Sequence, residues 1–239
     1  MNIHRLAAVA TLALWAAAVT TAGAQPAPPR LSGYVTVTTD YGNRGLSQTD
    51  GQAALQAGLD YQHPSGLFAG ALVSNVEFAV EEGEEDRRRT ELDYYLGYDW
   101  QRDGWALTAT LARYTYPGAG SAYDYNEITA GVRFRDRVYL TTSRTGDFAS
   151  NALEVSNHEL TVVLPLRRGF ELGATVGRTE LDPIPAGAYT HWNVGVSKLA
   201  GRFSVDLRFH DNDYGITTYL GAEDPDRWVL SVTYGFAGE

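Results

Sequence analysis

The chain has no cysteine, which excludes disulfide staples and thiolate metal sites and leaves export through an oxidising compartment free of pairing errors. Beyond residue 24 it has no apolar run long enough for a membrane-spanning helix, which needs ~20 residues. Positive charge is scarce: 19 Lys and Arg stand against 29 Asp and Glu, for a formal net charge of −10. Nucleic acid is thereby excluded as a partner, because phosphate binding needs clustered Lys and Arg.

The first residues carry an address. His4 and Arg5 precede an apolar stretch from Leu6 to Val19, and Ala22-Gly23-Ala24 supplies the small residues of a cleavage site. Residues 1–24 therefore predict a secretory signal peptide, since the stretch is too short for a spanning anchor. Residues 25–30 form a Pro-rich leader, and 31–236 remain for a single domain.

The last strand shows what kind of domain that is. Trp228, Leu230, Val232, Tyr234 and Phe236 are bulky and apolar, while Val229, Ser231, Thr233 and Gly235 between them are small or polar. This is a period-2 pattern with one row too apolar for a wet surface and the other too polar for a core. One face suits lipid and the other suits water. In lipid, the only alternative to helices that satisfies every backbone N–H and C=O is a closed barrel.

The same alternation recurs near 31–41, 53–62, 67–77, 91–100, 105–114, 125–134, 138–144, 158–165, 170–178, 189–197, 203–210 and 228–236, predicting about twelve strands. Most approach the ~9–11 residues that cross a bilayer at a tilt. Connections alternate in length. Short ones, such as His63-Pro64-Ser65-Gly66 and Gln101-Arg102-Asp103-Gly104, carry turn residues, and long ones centre near 46, 84, 120, 150, 183 and 218. The fold class predicted is all-β: a single transmembrane antiparallel up-and-down barrel with short periplasmic turns and long extracellular loops.

Aromatic residues mark two levels. Phe134, Phe170, Phe203 and Phe236 fall at the periplasmic level, and Tyr41, Trp192, Phe209 and Trp228 near the opposite rim. Two girdles around an apolar band belong to a membrane barrel. In a soluble β-sandwich, the competing arrangement, the bulky outer rows would stand in water. In the hairpin around Gly104, the spacing predicts Trp100 opposite Trp105 and Tyr98 opposite Leu107.

Thr39-Asp40-Tyr41-Gly42-Asn43-Arg44-Gly45-Leu46-Ser47-Gln48, then Ala54-Leu55-Gln56, Ser74-Asn75-Val76 and Glu91-Leu92-Asp93-Tyr94-Tyr95-Leu96-Gly97-Tyr98, are similar to the opening of the TorF family, a conserved hypothetical outer-membrane family classed as porins. The resemblance is specific over residues 31–100 and general afterwards. Thr39, Gly42-Asn43 and Ala53 depart from its usual pattern. It implies a bacterial outer-membrane barrel with a pore, and it supplies neither a substrate nor a catalytic residue.

Strand parity assigns Asp60, Asp93, Asp99, Glu127, Glu159, Glu171 and Asp206 to the barrel interior, with Arg113, Arg133 and Arg208. Acids outnumber bases there, so a water-filled lumen favours cations. The alternative is a salt-bridged interior that plugs the barrel. Asp40 and Arg44, in a glycine-bearing first loop, are candidates for an inward-folded segment or a constriction, with Arg44 reaching Asp40 or another lumen acid.

A turn over Lys198 to Arg202 predicts His191 opposite His210 beside Asp211, and Trp192 opposite Phe209. Two imidazoles can act as a pH-dependent gate or a weak metal site, although two nitrogens are too few for tight binding. The leading function is a passive channel for ions or small hydrophilic solutes, with no cofactor. The alternatives are a closed barrel with a structural or adhesive role, and a rim hydrolase using His210, Asp211 and Asp213. Partners expected are outer-membrane lipid, lipopolysaccharide that Arg87 to Arg89 can meet, and the export and barrel-assembly machineries. The oligomeric state is left open.

Overall fold

The computed structural model describes residues 30–77, 88–119, 121–148, 153–184, 187–213 and 226–237. The signal peptide and most of the leader lie outside these, as do Arg87 and the side chain of Arg88. The strands are β1 (Arg30–Thr38), β2 (Gly42–Asn43), β3 (Leu46–Ser47), β4 (Ala54–Gln62), β5 (Leu67–Glu77), β6 (Arg88–Arg102) and β7 (Trp105–Thr115). They continue as β8 (Tyr125–Phe134), β9 (Val138–Phe148), β10 (Leu153–Pro165), β11 (Phe170–Asp182), β12 (Ala188–Ala200), β13 (Phe203–Asn212) and β14 (Arg227–Ala237).

Twelve of these form one closed antiparallel barrel in sequence order, with β1 hydrogen-bonded to both β4 and β14. The remaining two, β2 and β3, make a small separate ribbon. Closure leaves no strand of the wall as a free sheet edge.

The pleat sorts the residues as the alternation predicts. Trp228, Leu230, Val232 and Phe236 point outward and are exposed, with Trp228 at 63 %, whereas Val229 between them is buried. Large apolar side chains stand exposed all round the wall, among them Leu31, Leu59, Leu96, Ile128, Leu140, Leu164 and Leu207. Such a continuous apolar exterior is far beyond the patch a water-facing monomer tolerates. Trp192 and Trp228 flank Phe209 with ring centroids 5.5 and 5.3 Å away, and Trp105 packs on Phe134 at 4.5 Å.

Several expectations are corrected. The β6–β7 hairpin pairs Arg102 with Trp105, so Trp100 faces Leu107 and Tyr98 faces Ala109. Asp103 and Gly104 have φ of 53° and 84°, a two-residue turn of the primed kind that matches strand twist, where a longer turn was expected. The β12–β13 hairpin repeats the lesson: pairing runs to Ala200–Phe203, so His191 faces Asn212, His210 faces Asn193 and Trp192 faces Asp211. Shifting the register by two keeps each side chain on its face while changing its partner.

Strands β9, β10 and β11 reach further than the alternation suggested, to Phe148, Leu153 and Asp182. Their outward rows turn polar there (Arg144, Glu154, Arg178, Glu180), although Thr145, Val155, Thr179 and Leu181 are still buried inside. The hydrogen-bonded ladder therefore outlasts the apolar band. Arg113 is also corrected. It pairs with Asn126, between the inward neighbours Ala112 and Tyr114, so it lies on the outer face and ion-pairs with Asp124 at 3.1 Å.

Candidate functional site in the barrel lumen

β1 was expected to continue to residue 41 with Tyr41 at the rim. Instead the chain leaves the wall at Thr39 and folds into the lumen, and Tyr41 is only 8 % exposed. Local hydrogen bonds hold this bend. Thr38 Oγ1 donates to the Asp40 carbonyl at 2.8 Å, and Tyr41 N–H donates to Thr49 Oγ1 at 3.1 Å. The ribbon β2–β3 pairs Gly42 with Ser47 and Asn43 with Leu46. Its tip is Arg44-Gly45, with φ of 47° and 81°. A side chain at position 45 would bring its Cβ within 2.5 Å of His191 Cβ, so glycine alone meets both demands.

The ribbon is fastened to several parts of the wall. Glu77 N–H donates to the Gln48 carbonyl at 2.8 Å, and Asn212 Nδ2 donates to the Gly45 carbonyl at 3.0 Å. Asp40 forms an ion pair with Arg227. Arg44 Nη2 lies 2.7 Å from Glu127 Oε2 and 2.8 Å from Ser143 Oγ. Burial opposes the charge on Arg44, but Glu127, Tyr114 and Glu159 raise its pKa above the ordinary arginine value. Tyr41 and Leu46 join a buried cluster with Val76, Tyr114, Tyr116, Tyr125 and Phe148, in which Tyr114 and Tyr125 stack at 4.6 Å.

The lumen thus has two halves of different character. The half with the long loops is filled by the ribbon and this aromatic cluster. Towards the short turns the inward side chains of Asp60, Asp99, Arg133, Glu171, Asp206 and Arg208 are partly exposed. Arg208 bridges Asp206 at 3.0 Å and Asn193 at 2.7 Å, and Arg133 bridges Asp136 at 3.2 Å. Asp60 accepts from the Tyr95 hydroxyl, and Asp99 accepts from Thr108 at 2.7 Å. Asp93, Glu127 and Glu159 lie deeper, with Glu159 3.8 Å from His191 Nε2.

Sequence reasoning missed two lumen residues. Glu91 shares the parity of Asp93 but opens its predicted strand, where the inner face is hardest to read, and Arg227 stands one residue before the predicted start of β14. Arg44 engages Glu127, and Asp40 takes Arg227, so the expected Arg44–Asp40 contact is replaced by two pairs. The histidines do not meet as a facing pair. His191 contacts Asn157 at 3.2 Å, and His210 lies beneath Gly42. His210 and Asp211 are consecutive in β13 and so face opposite sides, while Asp213 caps the Thr190 N–H. Among the described residues, no three or more His, Asp or Glu form a group suited to a metal ion.

A family model for a bacterial protein of unknown function, Gcw_chp, matches residues 22–236. The chain belongs to the Gcw_chp family. The match gives this family name and not the TorF name read from residues 31–100. Among curated proteins none matches the sequence. Similar solved structures include the NanC porin, at TM-score 0.53 and 8 % identity, covering 87 % of this chain and 98 % of that one. The KdgM porin aligns at TM-score 0.52 and 6 % identity over 87 % of this chain and 99 % of that one. A KdgM porin complex with disordered oligogalacturonate aligns at TM-score 0.51 and 6 % identity, over 87 % and 99 %. At these identities the likeness is one of fold. This Gcw_chp chain shares the closed twelve-strand architecture of outer-membrane porins.

Proposed function

We propose that this Gcw_chp chain is an outer-membrane channel of a Gram-negative bacterium, passing ions or small hydrophilic solutes with a preference for cations and carrying out no catalysis. The observation that carries the reading is the division of the wall: an outer face with an apolar band around an inner row of carboxylates that exceed their arginine partners. Arg44, Arg227 and Arg208 are committed to Glu127, Asp40 and Asp206. Asp60, Asp99 and Glu171 have no ion-pair partner among the described residues, so the field in the wet half is negative.

Outer-membrane lipid and lipopolysaccharide are the proposed surroundings, and the export and barrel-assembly machineries the proposed partners. The test is reversal potential across a KCl gradient in planar bilayers. A cation-selective reversal potential that falls towards zero in Asp60→Asn with Asp99→Asn supports the reading, and anion selectivity sinks it.

The buried ribbon favours a second reading, a barrel closed at rest. Replacing residues 42–47 with a Gly-Ser link distinguishes the two. Conductance that appears only in the replaced chain supports closure by the ribbon, and equal conductance in both chains rules that out.

A further inference from the structure

Glu91 and Asp93 stand two places apart on β6, so both carboxylates emerge on the inner face with Cα atoms ~7 Å apart. Glu91 is 0 % exposed and Asp93 1 %, and apart from each other none of their four carboxylate oxygens has a hydrogen-bond partner. Neither has an ion-pair partner among the described residues; Arg44, the deepest arginine, is spent on Glu127. Two dehydrated carboxylates side by side cannot both stay ionised without a counter-charge.

The ribbon presents its own unpaired polar groups to this wall. A Cβ at Gly42 would meet Arg227 and His210 at 3.3 and 3.4 Å, so that face of the ribbon looks toward β13 and β14. Tyr41, Asn43, Leu46 and Gln48 alternate with Gly42 and Ser47 and therefore occupy the other face. There Tyr41 and Leu46 pack with Val76 and Tyr114, on the strands flanking Glu91, and with Tyr116 and Tyr125 beyond them. Burial and the neighbouring Glu91 and Asp93 carboxylates push the Tyr41 phenol well above its usual value. Asn43 and Gln48 are 2 % and 1 % exposed, and every amide oxygen and nitrogen of their side chains lacks a partner, as does the Tyr125 hydroxyl.

We propose that Glu91 and Asp93, completed by the amide oxygens of Asn43 and Gln48, form a binding site for a hard divalent cation of the calcium class. The donor set is all oxygen, mixing carboxylates with neutral carbonyls, which is the chemistry such ions select. Two carboxylates neutralise the ion's charge. Its binding ties β6 to the inward ribbon, and it does so whether or not the barrel conducts.

Tyrosine-sensitised terbium luminescence tests the site directly, because Tyr41, Tyr114, Tyr116 and Tyr125 surround it. Folded wild-type barrel in detergent, its fold checked by heat-modifiable migration, is titrated with Tb3+ and then with Ca2+ or K+. Saturable emission displaced by Ca2+ at concentrations where K+ has no effect is the expected result. Emission should vanish in E91Q/D93N and persist in D211N, whose carboxylate lies on the outer face. Absence of emission from wild type, equal emission from E91Q/D93N, or displacement by K+ as readily as by Ca2+ overturns the proposal. Should E91Q/D93N not fold, N43A/Q48A carries the test, with affinity about tenfold weaker expected and unchanged affinity overturning the site.

Discussion

Arg44 Nη2 sits 2.7 and 2.9 Å from the two carboxylate oxygens of Glu127, 83 residues away in sequence, with both side chains almost wholly buried. The pair joins the tip of the inward ribbon to the opposite wall. Together with the Asp40–Arg227 ion pair and the Asn212–Gly45 bond it keeps the ribbon across the lumen.

Removing one partner strands the other charge. Arg44→Ala is expected to lower stability by about 3–5 kcal/mol, the usual cost of an uncompensated buried carboxylate. Arg44→Met with Glu127→Gln, which removes both charges, should recover most of that loss. Urea unfolding of the barrel in lipid vesicles checks both; equal stability of wild type and Arg44→Ala would show that Glu127 is satisfied without the arginine.

Gly45 combines a left-handed backbone with close approach to His191. Gly45→Val should therefore cost about 1–3 kcal/mol in backbone strain and keep the ribbon from seating. Trypsin reports this, since Arg44 is buried in the seated ribbon. Cleavage after Arg44 is expected in the variant and protection in wild type.

The register of β12 against β13 is open to a chemical check, and the absence of native cysteine removes any background. Asn193→Cys with His210→Cys places two thiols on directly opposed residues. A disulfide should form under mild oxidation, because its Cα spacing lies within the range such bonds accept. His191→Cys with His210→Cys should cross-link far less, and the reverse order of yields would restore the facing-histidine arrangement.

Outer-row residues answer to lipid. Val232 points outward near the middle of β14 and is 41 % exposed. Val232→Arg should destabilise the inserted barrel by about 2–4 kcal/mol, whereas Val232→Ala should cost under about 1 kcal/mol. Unfolding from bilayers measures both; tolerance of the arginine would mean that this face meets water.

Period-2 alternation is a property of neighbouring residues, so the sequence by itself determined the twelve strands of the wall and most of the sorting of side chains inward or outward, while the connections near 150 and 183, expected to be long, are short because the strands beside them run on. Asp60, Asp93, Asp99, Glu159 and Asp206 could be placed inside on that basis alone. Register is less local. A two-residue turn at Asp103-Gly104 and another after Ala200 moved partners along the strand without moving any residue across the wall, so parity survived where pairing did not.

Arg113 was misplaced because a charged residue beyond the apolar band can sit on either face without penalty. What only the tertiary structure decided is the content of the lumen. The ribbon crosses to Glu127, Arg227 and Asn212 through contacts between residues 83 to 187 positions apart. No local pattern encodes such contacts, since they exist only once the barrel has closed and brought opposite walls within reach of one loop.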